Sequence, residues 1–361
     1  MHVWERMKIL VINWRDIKHP QSGGSEIYFH EMAKRWAKAG HSVSWIAGGW
    51  KGCIKNEFID GIKIIRTGGA FSVYLLAPFA YWALKEKPDI IIDVENGIPF
   101  FTPLFSGKRK LLHIHHLHTK VWFKELPLPM ALVGWTLEKL ISTIYRQVNI
   151  MTISKSSKKD IEYEIMNVKK IVNPAIDKPK YRKFSKDKFP AVLFLNRIKK
   201  YKGIKTFIDS ACCMPHYNFW VAGDGDYLKE MRQYAYGFRN IRFFGKISNS
   251  KKAELMQRAW IFVNPSFKEG WGIVNIEANY FGTPVIGSNV GGIRDSVING
   301  KTGLLFEYGN SKDLAEKIEI LIKNDELRKK MGENSKRWAS EFSWDKSASQ
   351  YLEALNEEVR A

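Results

Sequence analysis

Two glutamates eight positions apart, Glu269 and Glu277, frame the stretch of this sequence with the most chemistry in it. Gly270, Trp271 and Gly272 follow the first glutamate directly. Upstream, the apolar run 259–263 reads as a buried strand. Downstream, residues 273–281 read as a helix that opens at Ile273 and is stopped by Gly282 and Pro284. Glu269 therefore falls in a strand-to-helix loop, and Glu277 about one turn inside the helix. The free N–H groups of a helix start suit an anion, above all a phosphate. A carboxylate on each side suits the hydroxyls of a sugar. The segment looks built for a nucleotide-sugar.

Other groups of reactive type also follow apolar runs. In the loop 195–203, Arg197 supplies a planar fork and Lys202 a point charge, and both can reach a diphosphate. Such preorganised positive charge stabilises a departing nucleoside diphosphate; an exposed lysine-rich loop is the competing reading. Gly23 and Gly24, in Gln21-Ser22-Gly23-Gly24-Ser25-Glu26, let backbone approach a phosphate or sugar. They do not form the GxGxxG fingerprint, and a plain turn with Ser25 as helix cap competes. In His113-Ile114-His115-His116-Leu117-His118, alternation sets His113 and His115 on one face and His116 and His118 on the other. With no cysteine or carboxylate at helpful spacing, one histidine turned toward a sugar fits better than a metal cluster. Asp224-Gly225-Asp226 looks like an Asp-x-Asp metal site, but a turn with a helix cap is the better reading. No metal site is expected.

The elements that position these groups alternate from end to end. Strand-like runs fall at 9–12, 42–46, 62–66, 90–93, 110–113 and 149–153. A second set lies at 191–195, 217–222, 241–244, 261–263 and 283–286. Helical patterns at 26–39, 127–147, 205–213, 227–236, 251–258, 313–323 and 325–342 separate them. That alternation predicts parallel, doubly wound sheets. It occurs twice, with a break between Asn173 and Pro190 that holds Pro174 and Pro179 among lysines. The expected fold is α/β, with two Rossmann-like domains facing across a cleft. Residues 1–172 form the first and 173–342 the second, while a C-terminal helix within 343–361 packs back onto the first. In such sheets ligands sit beyond the carboxyl ends of the strands, where every motif above falls.

Bulk properties narrow the class. The chain has 361 residues, enough for two cores, and its 45% apolar content excludes disorder. The cysteines are Cys53 and the adjacent Cys212 and Cys213, which points to a reducing compartment rather than a disulfide framework. No signal peptide is apparent. The stretch 67–84 approaches spanning length, but Gly68, Gly69, Ser72 and Pro78 favour a helix on a sheet or at a bilayer surface. The net charge of +20 is concentrated between Lys155 and Lys205. Anionic lipid, nucleic acid and a phosphorylated substrate are the candidate partners, against a merely solvated lysine-rich surface.

Taken together, these residues resemble the family-4 retaining glycosyltransferases of GT-B fold, from about Lys8 to Phe342. The stretch from Glu269 to Glu277 matches the family's E-x7-E motif, and Gly282-Thr283-Pro284-Val285-Ile286 the segment that follows it. By position, the resemblance implies that Gly24 lies against the donor diphosphate and that Arg197 and Lys202 bind it and assist its departure. It implies that Glu269 and the amides of Gly270, Trp271 and Gly272 hold the sugar, while Glu277 holds the ribose. Gly245, Lys246 and Ile247 would lie near the base. His115 best matches the histidine beside the reacting sugar, with His113, His116 and His118 as register alternatives. Asn196, Asn279-Tyr280 and Asn173-Pro174-Ala175-Ile176-Asp177 depart from the family pattern without removing a proposed catalytic group. The implied activity is metal-independent hexosyl transfer with retention. It draws on a UDP- or GDP-sugar, needs no cofactor, and proceeds by front-face attack. The basic block and the apolar stretches 71–82 and 121–135 point to a lipid-linked glycan or other glycoconjugate as acceptor. The protein would then be cytoplasmic, or peripheral on an anionic membrane. A GT-B epimerase acting on the same donors is one alternative. A nucleic-acid-binding or -modifying protein is another, although no binding module is recognisable and no nucleic-acid partner is expected.

Overall fold

A computed structural model describes residues 5–165, 168–177 and 182–360. The chain divides into two compact units, Met1–Ala175 with Ser343–Ala361, and Ile176–Phe342. Pro179, in the expected linker, lies outside the described residues.

The first unit is built on an eight-stranded sheet of order β3-β4-β2-β1-β5-β6-β7-β8. Its strands are β1 (Lys8–Ile12), β2 (Ser42–Ala47), β3 (Asn56–Ile59), β4 (Ile62–Arg66), β5 (Ile90–Glu95), β6 (Arg109–Ile114), β7 (Asn149–Thr152) and β8 (Val168–Ile171). Every residue of β5 is buried, as expected of a central strand covered on both faces. The helix Gly24–Lys38 buries Tyr28, Phe29, Met32 and Trp36. The C-terminal helix Trp344–Arg360 packs onto it: the Trp36 and Tyr351 rings lie 5.5 Å apart, and the Trp36 indole donates to the Ala348 carbonyl at 3.0 Å.

Three sequence expectations need correction in this unit. The sheet is not wholly parallel, because β3 and β4 form an antiparallel hairpin at its edge. Asp60 and Gly61 join them with φ of 49° and 82°, the two left-handed residues that a tight hairpin turn requires. The helical pattern 127–147 is interrupted at Leu140, giving helices Leu128–Lys139 and Ile141–Ile144. Ser25 does not cap the first helix, which begins at Gly24 with Gly23 as its cap.

The second unit has a six-stranded, all-parallel sheet of order β11-β10-β9-β12-β13-β14. The strands are β9 (Ala191–Leu195), β10 (Asn218–Ala222), β11 (Ile241–Gly245), β12 (Ile261–Asn264), β13 (Val285–Ser288) and β14 (Gly303–Phe306). Phe194, Phe207, Phe219 and Ile318 are fully buried in one of its two cores. After β13 the chain forms the short helix Gly291–Ser296. Thr283 precedes β13 instead of starting it: its amide donates to the Ala278 carbonyl at 3.0 Å, closing the preceding helix, and Pro284 has no N–H for the ladder.

In open α/β sheets ligands bind where the strand order reverses. The order reverses between β1 and β5 in the first unit and between β9 and β12 in the second. Loops leaving those strands part to opposite faces and open a crevice at the carboxyl edge.

Candidate active site

In the second unit the loops after β9 and β12 flank that crevice. The β9 loop passes through a 3-10 turn, Lys200–Lys202, and reverses at Gly203, whose φ is 71°. A Cβ at Gly203 would stand 2.0 Å from the Pro265 carbonyl oxygen, so the two loops lie backbone to backbone. This contact brings Lys202 to Glu269, whose Oε1 accepts from the ammonium at 2.5 Å. Both side chains are largely buried, at 9% and 14% exposure. Ser266 Oγ stands 3.0 Å from the same carboxylate oxygen. Burial alone would lower the Lys202 amine; the carboxylate of Glu269 outweighs it and holds the amine above its ordinary value. Arg197 is exposed and close enough for its charge to act against that of Lys202.

The Glu269 loop ends at Gly272, which caps the helix Ile273–Tyr280 at a φ of 82°. Behind it, the Gly292 amide donates to the Glu269 carbonyl at 3.2 Å. A Cβ at Gly292 would stand 2.3 Å from the Gly270 backbone, so the loop is fixed from behind. Trp271 is buried against Phe342, with ring centroids 5.3 Å apart. Glu277 is half-buried, and its Oε1 accepts from Lys252 at 2.5 Å. Gly245 closes β11 in left-handed backbone, and Ile247 packs its side chain on the sheet. Asp224 folds onto its own turn, accepting from the Gly225 amide at 2.8 Å, while Asp226 pairs with Lys199 at 3.3 Å.

In the first unit the loops after β1 and β5 are tied together. Asn96 donates to Asn13 Oδ1 at 2.7 Å and to Ser25 Oγ at 3.0 Å. The Gly23 amide donates to the Glu26 carboxylate at 2.6 Å, and Gly24 is exposed at the helix start. The histidine run separates by environment. His113 is buried in the core, with Nδ1 3.3 Å from the Tyr351 hydroxyl, so it is not a ligand-facing residue. His115 is one residue beyond β6, with its ring 4.6 Å from that of His113 and 5.6 Å from Tyr28. Burial, with a smaller push from the His118 charge, lowers His115 to about 3, so its imidazole is neutral at physiological pH. His116 and His118 stack at 4.9 Å on the less buried side.

Sequence spacing missed Glu95 and Glu138, although both are buried near His118. Glu95 closes the apolar run Ile90-Ile91-Ile92-Asp93-Val94-Glu95, and a carboxylate ending a buried strand is a legible signal. Asp93, in the same run, is a loop anchor: it accepts from the Phe100 amide at 2.9 Å, the Thr102 amide at 3.1 Å and the Tyr145 hydroxyl. Burial raises its carboxyl.

Two parallel-sheet α/β units, with charged loops at the carboxyl edge of the strands, define the GT-B glycosyltransferases. HepE of Anabaena, solved in complex with UDP-glucose, shares the fold: the TM-score is 0.76 at 19% identity, over 98% of this chain and 100% of that one. Residues 177–338 match the glycosyl transferases group 1, and residues 22–171 match glycosyltransferase family 4. The uncharacterized glycosyltransferase MJ1178 of Methanocaldococcus jannaschii is 31% identical over 346 residues, spanning 94% of this chain and 96% of the relative. The N,N'-diacetylbacillosaminyl-diphospho-undecaprenol alpha-1,3-N-acetylgalactosaminyltransferase of Campylobacter jejuni is 29% identical over 201 residues, covering 54% and 53%. The chain belongs to the family-4 glycosyltransferases.

Proposed function

We propose that this glycosyltransferase moves a hexose-type sugar from a nucleoside diphosphate sugar to a lipid-linked glycan, with retention at the anomeric carbon. The observation that carries the donor assignment is the Lys202–Glu269 pair at the strand-order reversal, beside Arg197 and the start of the helix Ile273–Tyr280. Two cations and free amides meet the charge of a diphosphate without a metal. Glu269 Oε1 receives Lys202, leaving the other carboxylate oxygen for sugar hydroxyls. Glu277 holds the ribose, with Gly245 and Ile247 near the base. The UDP-glucose bound by HepE, a protein of the same fold, supports a nucleotide-sugar donor.

His115, held neutral by burial, does not act as a base. The leaving phosphate takes the acceptor proton on the face it departs from, which gives retention. The acceptor assignment rests on two apolar helices. Phe71, Leu75, Phe79 and Trp82, on and just before the helix Ser72–Trp82, form an exposed row, and Leu128, Leu132 and Trp135 are exposed on the helix Leu128–Lys139. Among the described residues no helix is long and apolar enough to cross a membrane. Exposed apolar rows of this kind suit a bilayer surface. The Campylobacter relative, named for a diphospho-undecaprenol-linked acceptor, supports the same acceptor class.

The test is a matrix of UDP- and GDP-sugars against polyprenyl-diphosphate-linked glycans in anionic vesicles, with NMR of the new anomeric centre. An α-linked product from an α-donor is expected. An inverted centre overturns the mechanism, and sugar conversion without acceptor points to an epimerase instead.

A further inference from the structure

Glu95, His118 and Glu138 come from three separate segments: the end of β5, the loop after β6 and the helix Leu128–Lys139. One ligand atom from each lies within 4.8 Å of the other two. Glu95 Oε1 and His118 Nδ1 are 3.7 Å apart, a separation that two ligands of one ion reach at about 2.1 Å each. We propose that these residues of the first unit bind a first-row divalent cation, of the Mn2+, Fe2+ or Zn2+ class.

Glu95 is the residue whose environment most requires an ion. It is fully buried, and its Oε1 accepts from the Gly97 amide, but its Oε2 has no hydrogen-bond partner among the described residues. If ionised, the carboxylate keeps one oxygen buried without a donor, with the Glu138 charge nearby. If protonated on that oxygen, it presents a buried hydroxyl without an acceptor. Neither state satisfies the group, and leaving such an atom unpaired is costly. A cation satisfies it and neutralises both carboxylates.

Glu138 is already oriented as a ligand. Its two oxygens accept from the amides of His118 at 2.5 Å and Thr119 at 2.9 Å, and Oε2 also lies 3.3 Å from the Trp122 indole nitrogen. Hydrogen bonds of this kind fix a ligating carboxylate from its outer side, and Oε1 keeps a lone pair beyond its amide bond. Trp122 locks the three segments together. Its ring lies so close to Gly97 and Gly134 that a Cβ at either would stand 2.8 Å from it. A rigid frame holding two carboxylates and one imidazole, without sulfur, favours borderline divalent ions over soft ones. The His118 side chain is 23% exposed and gives the ion an entry path.

The experiment uses the full chain, chelator-treated and then titrated with Mn2+ or Zn2+ alone, without donor or acceptor. Its failure is therefore distinct from failure of the glycosyl-transfer reading. We expect one ion per chain and a rise in Tm of roughly 5 °C or more near 100-fold saturation. Pulsed EPR of bound Mn2+ should show coupling to one imidazole nitrogen. Glu95→Gln keeps the Gly97 contact and side-chain size but should lose the Tm response, and His118→Ala should lose the nitrogen coupling. Asp224→Asn, at the other candidate motif, should change neither. Absence of a stoichiometric site in the native protein overturns the proposal. So does binding that survives both Glu95→Gln and His118→Ala, or that disappears in Asp224→Asn.

Discussion

Replacing Glu269 by glutamine separates the structural and chemical tasks of the Lys202–Glu269 pair. Both side chains are mostly out of water, so removing one charge leaves the other buried without its counter-ion. Breaking a buried pair costs about 3–5 kcal/mol. The remaining exposure, and the amide oxygen that still accepts from Lys202, put Glu269→Gln at about 2–3 kcal/mol. For a unit of this size that lowers Tm by roughly 4–12 °C. The double variant Lys202→Met, Glu269→Gln buries no charge, and replacing both partners is often close to neutral, so it should regain most of the loss. Transfer should not recover with it. Without the ammonium on the departing diphosphate, kcat should fall about 10²–10³-fold.

Denaturant melts followed by tryptophan fluorescence, with initial rates of sugar transfer, measure both quantities. If the two substitutions add within about 0.5 kcal/mol, the pair is not coupled in the fold. If the double variant transfers sugar within about threefold of native, the pair does not serve the chemistry. The pH response has a definite sign. The Lys202 amine is held above its ordinary value, so the contribution is complete below the unfolded value of about 10.4. It disappears as pH rises through the folded value. The stability gap between native protein and Glu269→Gln should be flat from about pH 7 to 9 and should narrow only at more alkaline pH.

Gly203→Ala should lower both stability and transfer, because its Cβ would meet the Pro265 carbonyl at 2.0 Å and φ is positive; thermal melts and rates should fall together. Glu277→Gln should raise donor KM about tenfold with kcat little changed, as expected for uniform ribose binding; a kcat loss of the same size would place Glu277 in the chemical step. Arg66→Met should destabilise the first unit by about 3–5 kcal/mol in denaturant melts, since Arg66 donates to Asp16 at 2.6 and 2.8 Å in a buried pair, and Asp16→Asn should cost a similar amount.

The fold was legible where hydrophobic period and strand length agreed. Runs such as Ile90-Ile91-Ile92 and Ala191-Val192-Leu193-Phe194 can be satisfied only by strands covered on both faces, and β5 and β9 lie there. The β3–β4 hairpin escaped because Asn56-Glu57-Phe58-Ile59 is half polar and only its Asp60-Gly61 turn marks it. The break at Leu140 escaped for another reason. The surrounding residues are all compatible with helix, and the chain turns there because Ile141 and Tyr145 bury themselves on the sheet beside Leu112 and Ile150. That choice is tertiary and leaves no local mark.

The two clusters of charged residues, one in each unit, differ in the same way. Glu269, Gly272 and Glu277 are neighbours in sequence, so spacing alone defines a loop, a helix start and two carboxylates. The Lys202–Glu269 contact is already less local, since it depends on Gly203 lying flat against Pro265. Glu95, His118 and Glu138 have no sequence spacing in common. Glu95 is brought to the site by burial of β5, His118 by the loop after β6, and Glu138 by a helix whose placement depends on Trp122 fitting between Gly97 and Gly134. Substituting either glycine should loosen all three residues at once while leaving Lys202 and Glu269 untouched. Gly134→Ala is the sharper probe, because Gly134 lies within a helix and alanine favours that conformation. Any loss must then come from displacement of Trp122. The expected result is a lower Tm for the first unit with an unchanged stability difference between Glu269→Gln and its parent. A change in that difference would mean that the two clusters are energetically coupled, contrary to the separate origins of their geometry.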